Sequence, residues 1–453
     1  MSDDFKNKKV AILGFGIEGR DIARYLEDAG AKVTIFDEKT KNKLDLTGFK
    51  KDKLDLKCGN DYMSAGLTDY DHIFRSPGVY RYKKEIVDAE KKGAKISSAL
   101  KLFLDKCPAK VIGVTGTKGK GTTSTLIYQI LTKSSKDVFL AGNIGKPYLE
   151  LLQRLTKDSW VVMELSSFQL IDVEKSPHIS VILNITKDHL DWHKDLQEYV
   201  DAKKNIVTHQ KKEDFAVVNA DYKGSKDIGK LAKSKVYYFS RKKKTKGSYI
   251  QGGEIRLNIK EDINIGKTSN IRLRGKHNWE NVTAAICASH LAGGDADSIK
   301  EVVFSFMGLE HRLEEVRKIN GITFYNDSFS TNAETTIAAV KSFSEPITLV
   351  LGGSEKRLSY ANLARQLKLQ ENINLVIIIG EISNTIADAL KKVSYRGKVL
   401  KMGDTDIDNI VKVAFDSTPE GGVVLLSPAT ASFDMFDNYK DRGEKFKNAV
   451  KLL

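Results

Sequence analysis

The chain has 453 residues, which at about 150 residues per domain suggests three domains. Hydrophobic residues make up 41% and charged residues 29%, so the chain can bury real cores, and a disordered tail or low-complexity repeat is excluded. Lys and Arg outnumber Asp and Glu by 73 to 59, a net +14 that invites anionic partners, with solvated helix lysines as the plainer reading.

Three scattered cysteines (Cys58, Cys107, Cys287) form no disulfide framework and have no metal-ligand spacing. The first residues lack the apolar stretch of a signal peptide, and no segment approaches 18 uninterrupted apolar residues. A soluble, cytoplasmic protein is expected, with no membrane insertion.

Val10–Leu13, a glycine loop, the helical pattern Asp21–Leu26 and Lys32–Phe36 make a β-α-β start to an open parallel sheet. His72–Phe74 then runs into the turn Ser76-Pro77-Gly78. A second α/β unit opens at Val111–Val114 and continues through Trp160–Met163 and Ile179–Leu183. From 215 to 275 the texture is β-rich, as at Val236–Phe239 and Ile271–Leu273, and the run Arg241-Lys-Lys-Lys-Thr-Lys246 reads as an exposed hairpin loop rather than a nucleic-acid patch. A third unit has strands at Ile322–Tyr325, Ile347–Leu351, Leu375–Ile379 and Val423–Leu426. The fold class is therefore α/β in three domains. These are a Rossmann-like domain at 1–97, a central P-loop ATPase α/β domain with an extra β segment at 98–309, and a Rossmann-like α/β domain at 310–453.

Gly14-Phe-Gly16-Ile17-Glu-Gly19 follows a strand and opens a helix, and Asp37 ends the next strand 18 residues later. This is a dinucleotide fingerprint, but the loop itself specifies only a phosphate near a helix N-terminus, so NAD, flavin or any nucleoside diphosphate fits. The second cluster is more specific. Thr115-Gly116-Thr117-Lys118-Gly119-Lys120-Gly121-Thr122-Thr123 can cradle phosphate with backbone N–H groups, Lys120 adds charge at the β/γ position, and the Thr122 hydroxyl can hold Mg²⁺. The next strand ends deliver Glu164 and, past Asn184, His189. On one sheet edge this set suits Mg²⁺ or Mn²⁺, although His189 alone reads as a hydrogen-bonded loop histidine.

With Gly142-Asn143-Ile144-Gly145, Glu164–Leu170, Leu183–Asp191, Gly275–Asn281, His311-Arg312, Asn326-Asp327-Ser328 and Ser427–Ser432, the chain resembles the Mur ligases of peptidoglycan synthesis along nearly its whole length. It is most similar to the branch that adds D-glutamate to UDP-N-acetylmuramoyl-L-alanine. The resemblance implies that the first domain holds the uridine nucleotide of the substrate rather than NAD, through Gly14, Gly16, Ile17, Asp37, Ser76 and Gly78, with Asn143 and Ser166 near the UDP-sugar. It implies ATP on Gly116–Thr122, with Lys120 at the β/γ-phosphates, Asn278 and Asn281 on the adenine side, and Arg312 and Asp327 from the third domain. Two magnesium ions fall to Thr122, Glu164, His189 and Lys203, the last matching the family's carbamylated lysine. Without the resemblance, Lys203 reads as a solvated helix lysine. Thr331 and Lys356 match contacts to the amino acid's α-carboxylate, and Ser432 and Tyr439 contacts to its side chain.

Three departures bear on the acceptor and the loop. Phe329 stands where the family pattern has lysine, and Tyr439 replaces phenylalanine. Lys118 replaces asparagine, and Gly121 replaces Ser/Thr, a glycine after the lysine that resembles the related folylpolyglutamate synthetases. The implied reaction is amide formation through an acyl phosphate, with the third domain closing over the second and the enzyme acting as a monomer without nucleic acid. The rival readings are a sister ligase with another acceptor or a folate substrate, a nicotinamide oxidoreductase, and a nucleic-acid-binding module.

Overall fold

The computed structural model describes residues 3–49, 54–64, 66–143, 147–355 and 359–453. Its strands form three sheets among the described residues. The first contains β1 (Lys9–Leu13), β2 (Lys32–Asp37), β3 (Asp55–Cys58), β4 (His72–Arg75) and β5 (Lys95–Ser97), all parallel, in the order β3-β2-β1-β4-β5. Chain order reverses beside β1, so the crevice at its carboxyl end is where an open α/β sheet takes a ligand. The glycine loop follows β1 directly. A side chain on Gly19 would put its Cβ 2.0 Å from the Gly14 carbonyl oxygen, so only glycine lets the helix Ile17–Asp28 start this close to the strand.

The second sheet is built from β6 (Lys110–Thr115), β7 (Val138–Gly142), β8 (Trp160–Glu164), β9 (Ile179–Ile182), β10 (Phe215–Asn219), β11 (Lys235–Ser240), β12 (Gly247–Gln251), β13 (Glu254–Asn258) and β14 (Asp262–Lys267). Its order is β14-β13-β12-β11-β10-β9-β6-β8-β7. β6, the source of the phosphate loop, lies between β8 and β9, with Val114 opposite Glu164 and Thr115 opposite Ile182. These inner strands are buried on both faces, as their unbroken Val/Ile runs require. The extra β segment is β12–β14, joined by antiparallel pairings. Two expectations fail here. The lysine run is exposed but is not a hairpin, because β11 and β12 pair in parallel and Arg241–Lys246 brings the chain back to run the same way. Ile271–Leu273 is irregular, because it leaves the sheet after β14 and lies with the C-terminal unit.

By contact density the chain forms two compact units, Met1–Asn270 with His277–Phe304, and Ile271–Lys276 with Ser305–Leu453. The second unit carries the third sheet: β15 (Glu314–Ile319), β16 (Ile322–Asn326), β17 (Ile347–Gly352), β18 (Ile373–Ile379), β19 (Lys398–Gly403) and β20 (Val423–Leu426). They run in the order β15-β16-β20-β17-β18-β19, all parallel but β15. Among the described residues no helix is long and apolar enough to cross a membrane.

Candidate active site

A cavity of about 430 Å³ lies at the carboxyl end of the first sheet, lined by Gly14, Gly16, Ile17, Asp37, Ser76 and Gly78 among others. Its volume suits a nucleotide-sized ligand. The helix Ile17–Asp28 begins at its rim with Gly16 as N-cap and no side-chain cap, an electropositive end suited to phosphate. Asp37 shapes the loop: one carboxylate oxygen accepts from Phe15 N at 2.6 Å and the other from Lys39 N at 2.8 Å. The Ser76 hydroxyl donates to the Gly14 carbonyl at 2.7 Å. Asn143 and Ser166 are not in this lining. Asn143 sits against Glu164, with Nδ2 donating to Oε1 at 3.2 Å and its backbone N donating to Glu164 O. Ser166 caps the short helix Ser167–Leu170, and its hydroxyl is shared with Gln169 in a capping box.

The turn Ser76–Gly78 is held by a residue that sequence reasoning passed over. Arg75, wholly buried, donates to the carbonyls of Ser76, Pro77, Val79 and Phe168, and Nε and Nη2 reach Asp172 Oδ2 at 3.0 and 2.5 Å. Arg81 Nε lies 3.0 Å from the other oxygen of Asp172. The nucleotide cavity is thereby bolted to the segment that follows Ser166. Gln169 Nε2 donates to Glu18 of the cavity lining at 2.5 Å, and burial pushes the Glu18 carboxyl up to about 7.

The phosphate loop is shaped by glycine. Gly116 has φ +156° with a Cβ position 2.7 Å from the Leu183 side chain, and Gly119, at φ +88°, packs under Asn281. Asn281 Nδ2 donates to Asn278 Oδ1 at 2.8 Å, so the two predicted adenine-side residues act together directly above the loop. Thr117 zips the loop to the one bearing His189. Its N–H donates to Asn184 O, and its hydroxyl lies within hydrogen-bond distance of Thr186 O, Thr186 N and Tyr199 Oη. The helix Lys120–Lys133 starts at Gly119, and its first-turn N–H groups, with Thr122 buried among them, have no acceptor within the helix. Lys118 is exposed.

Lys203 is buried, contrary to the solvated reading that spacing alone supports. It lies on the inner face of the helix Leu196–Thr208 with Tyr199, Ala202, Ile206 and Val207. Its Nζ donates to Gly116 O at 3.2 Å and Thr115 Oγ1 at 3.3 Å, while Lys120 Nζ donates to the same Gly116 oxygen at 3.1 Å and to Thr117 O at 3.1 Å. Two amines on one carbonyl repel when both are charged. Burial first, and then the Lys120 charge, hold Lys203 well below the usual lysine range. His189 is exposed at φ +52°, its ring 4.8 Å from Phe168 and its Nε2 3.7 Å from Asp188. The Glu164 carboxylate and Thr122 hydroxyl are oxygen donors of the kind that suits a hard divalent cation, and His189 lies in the loop after β9, on the other side of β6 from β8.

In the second unit Asp327 follows β16 directly and is buried, with Oδ2 accepting from Ser330 and Ser427 at 2.5 and 2.7 Å and Oδ1 from Leu313 N. Burial pushes its carboxyl up to about 6. Arg312 stacks its guanidinium 4.3 Å from the Phe329 ring, which meets Tyr439 edge-on at 5.1 Å. Thr331 follows that ring, its N–H donating to Phe329 O, and the Ser432 side chain is buried. Lys356 lies outside the described residues. A second buried arginine missed by sequence, Arg442, gathers this region by donating to the carbonyls of Ser328, Thr430 and Ala431 and to the Ser328 hydroxyl.

Residues 8–98 match the model of the Mur ligase MurD-like N-terminal domain, 114–289 the Mur ligase middle domain, and 311–430 the Mur ligase glutamate ligase domain. The chain belongs to the Mur ligase family. Among the relatives of this Mur ligase are the UDP-N-acetylmuramoylalanine–D-glutamate ligase of Clostridium tetani, 37% identical over 99% of this chain and 97% of that protein, and the enzyme of the same name from Acetivibrio thermocellus, 39% identical over 99% and 97%. Among solved structures it shares its fold with a UDP-N-acetylmuramate-alanine ligase from Thermotoga maritima (TM-score 0.58, 19% identity, covering 98% of this chain and 100% of that one). It also shares it with the D-alanyl-D-alanyl-adding ligase from Acinetobacter baumannii (TM-score 0.60, 16% identity, covering 100% and 92%).

Proposed function

We propose that this chain joins D-glutamate to UDP-N-acetylmuramoyl-L-alanine at the expense of ATP, through an acyl phosphate, in peptidoglycan precursor synthesis. The observation that carries this reading is the pair Lys120 and Lys203 on the Gly116 carbonyl, beside a strand end bearing Glu164. Relatives of nearly equal length and one printed name give the substrates. Residues 1–97 would hold the UDP-substrate, 98–309 ATP, and 310–453 the incoming amino acid, with Thr331, Lys356, Ser432 and Tyr439 as its contacts. A cytoplasmic site of action goes with a chain that consumes ATP.

A carboxylate resists amine attack because it is anionic and would have to expel oxide. Phosphorylation gives it phosphate as leaving group. Lys120 and the first-turn N–H groups of its helix would neutralise the transferring phosphoryl group. Two magnesium ions, held by Thr122, Glu164, His189 and a carbamate on Lys203, would supply further charge neutralisation when bound. The amino-acid nitrogen then attacks the acyl carbon, and phosphate departs.

Phosphate release with Mg-ATP and UDP-N-acetylmuramoyl-L-alanine, screened over single amino acids of both hands, tests the reading. D-Glutamate is expected to give the strongest response. A different winner would favour a sister ligase, the reading to which the Phe329–Tyr439 pair lends weight, because it puts two aromatic rings beside Thr331. The metal roles have their own check. Glu164→Ala and His189→Ala are each expected to raise the half-saturating Mg²⁺ concentration about tenfold or more, and an unchanged magnesium dependence in both would remove them.

A further inference from the structure

One buried imidazole touches three segments that carry predicted metal residues, those of Glu164, His189 and Lys203. His193 is 2% exposed, its Nε2 2.9 Å from Ser167 Oγ and its Nδ1 3.1 Å from Glu198 Oε1. A carboxylate only accepts, so the proton sits on Nδ1 and the Ser167 hydroxyl donates to Nε2. Ser167 opens the short helix that follows Glu164. His193 N and Trp192 N both donate to His189 O, so His193 closes the turn carrying that residue. Glu198 lies in the first turn of the helix that holds Lys203. From Glu198 the chain of bonds runs on to the nucleotide cavity. Tyr80 Oη donates to Glu198 Oε2 at 2.9 Å, the Tyr80 and Trp192 rings meet edge-on at 5.3 Å, and Trp192 Nε1 donates to Gly78 O at 3.3 Å.

The order serine, histidine, carboxylate is that of a hydrolytic relay, but Ser167 is 1% exposed and its ring partner is stacked on Phe168, 5.5 Å away and 22° from parallel. A nucleophile needs an open face toward an acyl group. We infer instead that His193 is a positioning residue: the relay Ser167–His193–Glu198–Tyr80 sets the His189 turn and the Ser76–Gly78 turn together, so that the nucleotide-sugar and metal sites are aligned by one network. This rests on the functional reading above. The relay bonds no predicted ligand side chain; it acts on the main chain of the His189 turn, and on the segments that follow Glu164 and precede Lys203.

Two variants test it. Tyr80→Phe removes only the outermost bond and keeps the ring, and His193→Phe keeps the stacking on Phe168 but loses both bonds. Each purified variant is compared with wild type in thermal melting, in UDP-N-acetylmuramoyl-L-alanine binding by calorimetry without ATP, and in steady-state phosphate release with Mg-ATP and D-glutamate. Tyr80→Phe is expected to raise both the substrate Kd and the half-saturating Mg²⁺ concentration, each by about tenfold, with the KM for D-glutamate unchanged. A His193 variant that folds should show the same pair of shifts, larger. A purely structural role would lower melting temperature and the active fraction while leaving Kd and magnesium dependence where they were, and that result in Tyr80→Phe overturns the inference. Absence of wild-type turnover with these substrates would instead strike the functional reading, and the calorimetry would still judge the network.

Discussion

Lys120→Ala is expected to lower phosphate release by about three orders of magnitude or more while shifting the melting temperature by only about 2 °C. The two halves of that result come from different sources. The loop owes its shape to Gly116 and Gly119 and to the hydrogen bonds of Thr117 with Asn184 and Thr186, none of which involves the Lys120 side chain. The ammonium donates to two carbonyls of its own loop, but both bonds are only part-buried, and water entering the vacated space compensates for most of their loss. Catalysis has no such compensation. Charge building on a transferring phosphoryl group needs a cation already in place, and a preorganised donor of this kind contributes several kcal/mol to the barrier. Wild-type phosphate release by the variant would end the assignment of this loop to ATP.

Glycine makes the two phosphate sites legible, because a strand, a glycine cluster and a helix in immediate succession rarely serve folding alone. The Val/Ile runs mark the buried parallel strands just as directly: only a sheet covered on both faces tolerates them. Charged residues are the least legible. An arginine at a strand end looks solvated, and nothing near Arg75 or Arg442 in sequence reveals the carbonyls that surround it in the fold. Their partners lie up to 114 residues away. Lys203 is more legible than its charge suggests. Tyr199, Ala202, Ile206 and Val207 flank it at helical spacing, and that stripe puts the lysine on the buried face. The lysine run misleads in another way. Its exposure follows from its charge, but a short connection suggests antiparallel neighbours, and here it joins parallel ones.

Arg75→Met is expected to destabilise the protein by about 3–5 kcal/mol, a loss that appears as a fall in melting temperature on the order of 10 °C. The guanidinium is fully buried and its partner Asp172 nearly so, which leaves a carboxylate without its main counterion once the arginine goes. Four carbonyls also lose a donor, and methionine can satisfy none of them. Charge alone should not explain the loss, and a double variant separates the terms. Arg75→Met with Asp172→Leu removes both charges, so the stranded-carboxylate cost disappears while the unpaired carbonyls remain. The double variant is therefore expected to recover part of the stability and to keep a defect in binding UDP-N-acetylmuramoyl-L-alanine by calorimetry, because Ser76, Pro77 and Val79 are the carbonyls that the arginine held at the cavity rim. Full recovery of both stability and binding would mean that the ion pair is a spectator and that the turn holds its shape unaided.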